Sequence, residues 1–584
     1  MPRNAGKSSG PASVVRYLIL LLTALVIAAC SGARPEEDPA ACAVLVAQTI
    51  DAPGDAYQLR EIASCLGSAR AEEASRVLAQ AVRVAGRGAR PLDRAPDLQQ
   101  IAAHYSVVGR KKDALRLLSR ALAEAQRIDG WDYQVAILRR IARMYSYAGE
   151  PEEALRITRE VVPDPSSRRD YKRWREAGCT ACIALDVFRA GDKTKAIEIL
   201  SQAHRIAEQT ERAFWKAESL DIVVLAFTEC GELDRALGIA LKMEEEDKTG
   251  HDGLKVLAEE GEVRLAPVRF KVIALVRVAN KHADLGHQEK AREALAQAHA
   301  AAARVPGRYR YLKSQLMKDV ALAYAGAGEY DRDLMLPRDK CGAPPDLSKA
   351  TEIARAIEHP LLRAIALDWI AEGCRKRGER EVCLRTLAEA VSVAKAIADD
   401  SRDAYVTELG FLERYKPEVL ASLVKGYAEA GEFEQALQVA NSITKHERFG
   451  DRRKDALVHI ASAYVKQGQR AKALAMLKQA ADAGAAGSKL PPLYEEAGEH
   501  EKALEAARDD AEILEGLAAR CAKAGRFDHA VETAARIAEP YHQALALVHI
   551  GAELSAAQQV LSKQAKAILA EIARKAKSKA TVEP

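Results

Sequence analysis

Leu98-Gln99-Gln100-Ile101-Ala102-Ala103-His104-Tyr105-Ser106-Val107-Val108-Gly109-Arg110-Lys111-Lys112-Asp113-Ala114-Leu115-Arg116-Leu117-Leu118 reads as one helical hairpin. Leu98, Ile101, Ala102 and Tyr105 fall at i, i+3, i+4 and i+7, a single apolar stripe of a 3.6-residue period. Gly109 stops that helix, because a residue without a Cβ enters the left-handed region at no steric cost. A second helix starts almost at once and carries Ala114 and Ala121. Two antiparallel helices joined this tightly need a small side chain where their backbones approach, and Ala114 supplies it.

Outward from this stretch the pattern recurs. Gly149, Gly191, Gly231, Gly286, Gly431, Gly468, Gly498 and Gly525 are each followed five residues later by an alanine: Ala154, Ala196, Ala236, Ala291, Ala436, Ala473, Ala503 and Ala530. Leu138, Ile141, Ala142 and Tyr145 repeat the stripe, as do Leu457, Ile460, Ala461 and Tyr464. A period of roughly 40 residues marks an array, whose hairpins bury their apolar faces only by stacking. The expected fold is an all-α solenoid, a superhelix of about 12 stacked antiparallel hairpins with a long groove. It spans residues 41–550, with a C-terminal capping helix over 551–579 and a short tail over 580–584. The basic residues Lys563, Lys566, Arg574, Lys575, Lys577 and Lys579 form the cap's solvated face.

These residues resemble the tetratricopeptide repeat (TPR) family, which places a small residue and an aromatic in the first helix, a glycine in the turn and alanines in the second. Ala102, Tyr105, Gly109, Ala114 and Ala121 match that pattern, as do Ala142, Tyr145, Gly149 and Ala154. Gly426, Tyr427, Gly431 and Ala436 match less closely. Phe188, Phe227, His282, Cys374 and Cys521 stand in the tyrosine's place, and the period exceeds the family's length of about 34. The resemblance implies a protein-interaction scaffold with a groove walled by first-helix residues. Transferred by phase, those are Gln99, Ala103, Arg139, Arg143, Tyr147, Leu185, Phe188, Arg189, Asp221, Leu225 and Glu229. Arg139, Arg143, Tyr147, Phe188 and Arg189 are the expected partner contacts, since arginine and aromatics dominate protein interfaces. The arginines could clamp a partner's carboxylates.

The front end is a targeting segment. Arg3, Lys7 and Arg16 supply a positive region and Tyr17 to Ala29 an apolar one too short for a comfortable membrane span. Ile27-Ala28-Ala29-Cys30 resembles a bacterial lipobox, which implies cleavage after residue 29, lipidation of Cys30 and a tether over 30–40. Ser31 after that cysteine implies the outer membrane, facing the periplasm. Removal of residues 1–29 takes the net charge from +4 to +1, and nothing in that balance points to nucleic acid.

Ten cysteines acquire meaning in an oxidising compartment. Cys374 and Cys383 replace the tyrosine and alanine on facing helices of one hairpin, so a disulfide is geometrically reasonable, and Cys42 with Cys65 could staple the first two helices. Alternatively, all four simply fill close-packed sites. Cys179 and Cys182 lie in mid-helix with no companion cluster, so no metal site and no cofactor is expected.

Longer intervals point to inserted segments near 241–266, 334–346 and 400–417, while around Gly498 and Gly525 the repeat shortens. No nucleophile elbow, phosphate-cradling glycine loop or His-Glu-x-x-His is present, and the thirteen histidines are scattered. The reading is a non-catalytic, lipid-anchored scaffold for envelope proteins, its oligomeric state open. The alternative is an enzyme or small-ligand sensor with its site in an inserted segment.

Overall fold

The computed structural model describes residues 56–66, 71–88, 90–160, 169–245, 266–326, 346–397, 416–444, 451–485, 489–538, 540–557 and 561–570. The targeting segment with Cys30, the tether and Cys42 lie outside these residues, as do almost all of the three inserted segments. The described residues are helices and their connections, without strands. No described helix is long and apolar enough to cross a membrane.

Two compact units are formed, one from described residues within 1–157 and 486–584, the other from those within 158–485. The first begins with α1 (Ala56–Leu66), α2 (Ala71–Ala85), α3 (Pro91–Val107), α4 (Lys111–Ala125) and α5 (Trp131–Tyr147), and its boundary falls within α6 (Pro151–Glu160). The second holds α7 (Arg169–Arg189), α8 (Lys193–Glu208), α9 (Ala213–Glu229), α10 (Leu233–Lys242), α11 (Ala266–Asp284), α12 (Gln288–Ala303) and α13 (Arg310–Tyr324). It continues with α14 (Leu347–Arg355), α15 (Pro360–Lys376), α16 (Arg380–Lys395), α17 (Lys416–Glu429), α18 (Phe433–Asn441), α19 (Arg453–Lys466) and α20 (Arg470–Asp482). The first unit also contains α21 (Leu490–Glu496), α22 (His500–Ala507), α23 (Ala511–Lys523), α24 (Phe527–Arg536) and α25 (Pro540–Ala557).

The helices up to α24 make twelve consecutive pairs. In the second unit the first helices α7, α9, α11, α13, α15, α17 and α19 each pack on the next, while each second helix lies against its own partner and against the following first helix. The helices α1–α5 and α21–α25 stack by the same rule within their own stretches. That is solenoid packing, the fold expected from the repeat.

The turn explains the repeat's persistence. Gly109, Gly149, Gly191, Gly231, Gly286, Gly378, Gly431, Gly468, Gly498 and Gly525 all have φ between +70° and +99°. At each, the following residue's N–H donates to the carbonyl four positions before the glycine, as from Arg110 to Tyr105 (2.8 Å) and Glu150 to Tyr145 (2.9 Å). This closes the last helical turn and satisfies a carbonyl that would otherwise be orphaned. Ala114, Ala154, Ala196, Ala236, Ala436, Ala473, Ala503 and Ala530 behind the turns are wholly buried. Rungs between successive turns recur as well: Lys111 pairs with Glu150 at 3.2 Å and Lys193 with Glu232 at 3.3 Å.

One turn differs from the spacing. After α13 the left-handed residue is Gly326, φ +63°. The N–H that reaches back to the Tyr324 carbonyl (2.9 Å) comes from Asp346. The segment after Gly326 is thus inserted inside the turn's own hydrogen bond. The array resumes in phase behind it, with Ala350 wholly buried in the usual alanine's place.

The aromatic positions hold repeats together. Tyr105, Tyr145, Tyr324, Tyr427 and Tyr464 are buried, and the Tyr105 hydroxyl donates to the Ser75 carbonyl (3.3 Å) on α2. Tyr145 shares a 3.1 Å hydrogen bond with Ser119 on α4. At the C-terminal end α25 crosses the boundary expected at 550/551, and a further helical stretch covers 563–570. Ile550, Leu554, Leu561, Ala565 and Leu569 join one apolar cluster with Leu514, Leu517 and Val531 of the last hairpin, while Lys563 is exposed.

Candidate functional site

The expected partner contacts divide between the units. On α5, Arg139 and Arg143 are half-buried, Tyr147 is exposed, and the Arg143 guanidinium lies 5.9 Å from the Tyr147 ring centroid. On α7, Phe188 is half-buried and Arg189 exposed, the latter 3.6 Å from the buried Asp186 carboxylate. Arg143 and Tyr147 are therefore neighbours on α5, whereas Phe188 and Arg189 belong to the second unit.

Much of the remaining expected wall is interior. Gln99, Leu185, Asp221 and Leu225 are all buried. Asp221 on α9 accepts from the Arg277 guanidinium on α11 at 2.5 Å, with both side chains nearly inaccessible. In a low-dielectric interior a carboxylate persists when a guanidinium meets it. This pair locks successive first helices and is withdrawn from partner contact.

A different row is accessible. Near the N-terminal ends of three successive first helices, Trp174 on α7, Phe214 and Trp215 on α9, and Phe270 on α11 are half-buried. Their rings meet in series: Trp174–Trp215 at 4.2 Å, Phe214–Trp215 at 5.1 Å and Phe214–Phe270 at 5.6 Å between centroids. Arg175 lies over Trp174 at 3.8 Å, a cation–π contact. Sequence phase selected residues nearer the helices' C-terminal ends and missed this row. Its signal was the aromatic enrichment at the starts of α7, α9 and α11 in a chain with only 5% aromatics.

Cys374 and Cys383, for which the sequence leaves a disulfide and simple close packing both open, are free cysteines in this structure. Both are buried free thiols, packed where other repeats hold a tyrosine and an alanine. Burial raises both thiol pKa values, that of Cys383 to about 11. Cys65 lies on α1, with its side chain outside the described set, and Cys42 lies beyond it altogether. Cys179 is buried and Cys182 half-buried within α7.

The shortest described hairpin, α21–α22, and its successor carry something the sequence reading missed. Glu495 on α21 is buried at 2% exposure and accepts at both carboxylate oxygens. His500 Nδ1 stands 2.6 Å from Oε2 and His529 Nδ1 3.0 Å from Oε1. The two imidazoles stack at 4.0 Å, with planes 12° apart. Arg526 Nε comes within 3.1 Å of Oε1, and the fully buried Cys521 thiol completes the group. Burial raises the Glu495 pKa, but the hydrogen bonds from His500 and His529 and the nearby charges outweigh it and hold the carboxyl at about 2. Burial and the adjacent Glu495 push the Cys521 thiol up to about 12. The sequence did hold a clue: Glu495 precedes its turn glycine by three, where other repeats place Ser146, Thr228, Ala283, Ala428 or Ala522, all buried. The histidines looked scattered because α22 and α24 meet only in three dimensions.

No protein-family model matches this chain, and no curated protein matches it. Solved structures do align. The pentatricopeptide repeat protein PPR10 from maize aligns at 13% identity over 95% of this chain and 74% of its own, with a TM-score of 0.29. Rap protein complexed with competence and sporulation factor aligns at 13% identity over 76% of this chain and 96% of its own, TM-score 0.23. The TPR domain of P58(IPK) aligns at 15% identity over 77% and 99%, TM-score 0.17. Superpositions this loose decide nothing by themselves. The fold follows from the chain's own geometry: paired helices, a left-handed glycine turn, a buried alanine behind it and an aromatic before it. The chain is a TPR-like helical repeat array. Within this TPR-like array the aromatic row is the accessible feature best suited to a partner, and the Glu495 group is the most concentrated buried chemistry among the described residues.

Proposed function

We propose that this protein is a lipid-anchored, TPR-type interaction scaffold of the bacterial cell envelope, without catalytic activity. It is held through Cys30 at the periplasmic face of the outer membrane and grips segments of partner proteins along its first helices. The observation that carries the reading is the row Trp174–Trp215–Phe214–Phe270 with Arg175, large rings only partly buried and already ordered against one another. Rigid aromatics and arginine give most contact area for least lost rotamer freedom. Arg143 with Tyr147 offers a second contact of the same composition. The lipobox-like Ile27–Cys30 supports the anchor, since acyl chains added there would hold the array to a membrane.

Two experiments test it. Cross-linked envelopes should yield a specific partner that is lost with Trp174→Ala/Trp215→Ala, weakened with Arg139→Glu/Arg143→Glu and retained with Lys290→Ala, Lys290 being exposed on α12 and paired with Asp234. The same partners recovered from all three variants would remove the row from the binding surface. Metabolic acyl labelling should disappear in Cys30→Ala, and labelling that survives would sink the anchor.

A further inference from the structure

We propose that Glu495, His500, Cys521 and His529 bind one zinc-class divalent transition-metal ion that staples the shortest described hairpin, α21–α22, to the next, α23–α24. One potential ligand comes from each of four successive helices, α21, α22, α23 and α24. Ligand atoms of Glu495, His500 and Cys521 all lie within 4.8 Å of one another. Glu495 is 2% and Cys521 0% exposed, and the His500 side chain 9%. His529, stacked on His500 with 44% of its side chain exposed, has room to turn and supply the fourth ligand.

The donor set selects the metal. Carboxylate, imidazole and thiolate together suit a borderline ion such as zinc, whereas calcium and magnesium take oxygen ligands. A divalent ion with Glu495 and the Cys521 thiolate is locally neutral, so the site can be charge-balanced while buried.

Two details of the hydrogen bonding favour an ion. His500 Nε2 is buried without a hydrogen-bond partner, 3.6 Å from the Glu532 carboxylate. A metal on Nδ1 fixes a proton on Nε2, which then has Glu532 to donate to, the outer carboxylate that metal-bound histidines usually have. Arg526, which now offsets the Glu495 charge, is within 3.1 Å yet not aligned for a hydrogen bond, and its side chain is 37% exposed. It can leave for solvent when an ion enters.

The location supplies the reason. The hairpin of α21 and α22 has helices of 7 and 8 residues, against 21 and 16 for α7 and α8. Short helices bury little apolar surface, and small cores are where proteins use metal cross-links, whose binding energy becomes folding energy.

The test is cobalt(II) titration of chelator-stripped full-length protein. One equivalent should bind, giving the visible bands of four-coordinate cobalt and a near-ultraviolet thiolate charge-transfer band, both displaced by zinc. Cys521→Ser should lose the charge-transfer band, Cys374→Ser should keep it, and Glu532→Gln should weaken binding about 10–100-fold while preserving the spectrum. Zinc should raise the Tm of the unmodified protein and slow amide exchange in α21–α24. No saturable uptake would overturn the proposal. So would a thiolate band that persists in Cys521→Ser. If that variant does not fold, unchanged exchange in α21–α24 on adding zinc to the unmodified protein decides against it.

Discussion

The α7–α8 hairpin and the α21–α22 hairpin solve the same problem with opposite means. In the first, long helices bury Ile183, Leu200, Ala203 and Ala207, and the neighbouring interior charge, Asp221, is matched by one guanidinium. In the second, short helices bury Leu490, Leu493, Ala503 and Leu504, and the gap is filled by a carboxylate shared between two histidines, an arginine and a thiol. The contrast teaches that a repeat can shorten only if something stronger per residue than apolar contact closes it. Hydrophobic burial scales with area, so half-length helices lose most of it.

The sharpest way to break the contrast is to remove the polar centre. Glu495→Ala leaves Arg526 and the two histidines facing one another without an anion, and should cost about 3–5 kcal/mol. Hydrogen exchange read peptide by peptide should open α21–α24 while α7–α12 stay protected. In the long repeats the matching loss is apolar. Leu200→Ala, at a fully buried position on α8, should cost about 2–5 kcal/mol. Exchange would then rise in α7–α9 and leave α21–α24 unchanged.

Acid should separate the regions too. The folded-state pKa of Glu495, about 2, lies below its ordinary 4.5, so its contribution is fully present above pH 4.5 and drains away as the pH falls toward 2. In metal-free protein the difference in stability between the parent and Glu495→Gln should therefore shrink between pH 5 and about pH 2. A difference that stays constant with pH would deny the carboxylate its special environment.

Smaller effects probe what the regions share. Gly109→Ala adds a Cβ that meets nothing within 4 Å, so only the left-handed backbone is penalised, at about 1–2 kcal/mol in thermal unfolding. Least of all, Glu232→Gln breaks an exposed rung with Lys193 and should change stability by no more than about 1 kcal/mol, less at high salt.

Legibility followed periodicity. Gly109, Ala114 and Tyr105 announced their roles because each is demanded by local backbone geometry and by one close neighbour a fixed distance along the chain. Ala350 takes the alanine's place for the same reason, since phase survives an insertion that re-enters the same turn. Asp221 was less legible: its place on a first helix suggested a groove, but its partner Arg277 lies on another repeat, and no local rule links them. Cys374 and Cys383 sit at the tyrosine and alanine positions of one hairpin, yet such positions do not by themselves make a bond, and both are free thiols.

The sequence by itself determined the unit: an amphipathic helix, a left-handed glycine and an alanine-backed return helix, repeated in phase. Those features are short-range, so the order of residues contains them. Tertiary structure alone decided which first-helix residues are buried, that four aromatic rings on three helices form one row, and that Glu495, His500, Cys521 and His529 meet. Such groupings depend on how one hairpin sits on the next, a relation set by packing many side chains at once and written at no single interval along the chain.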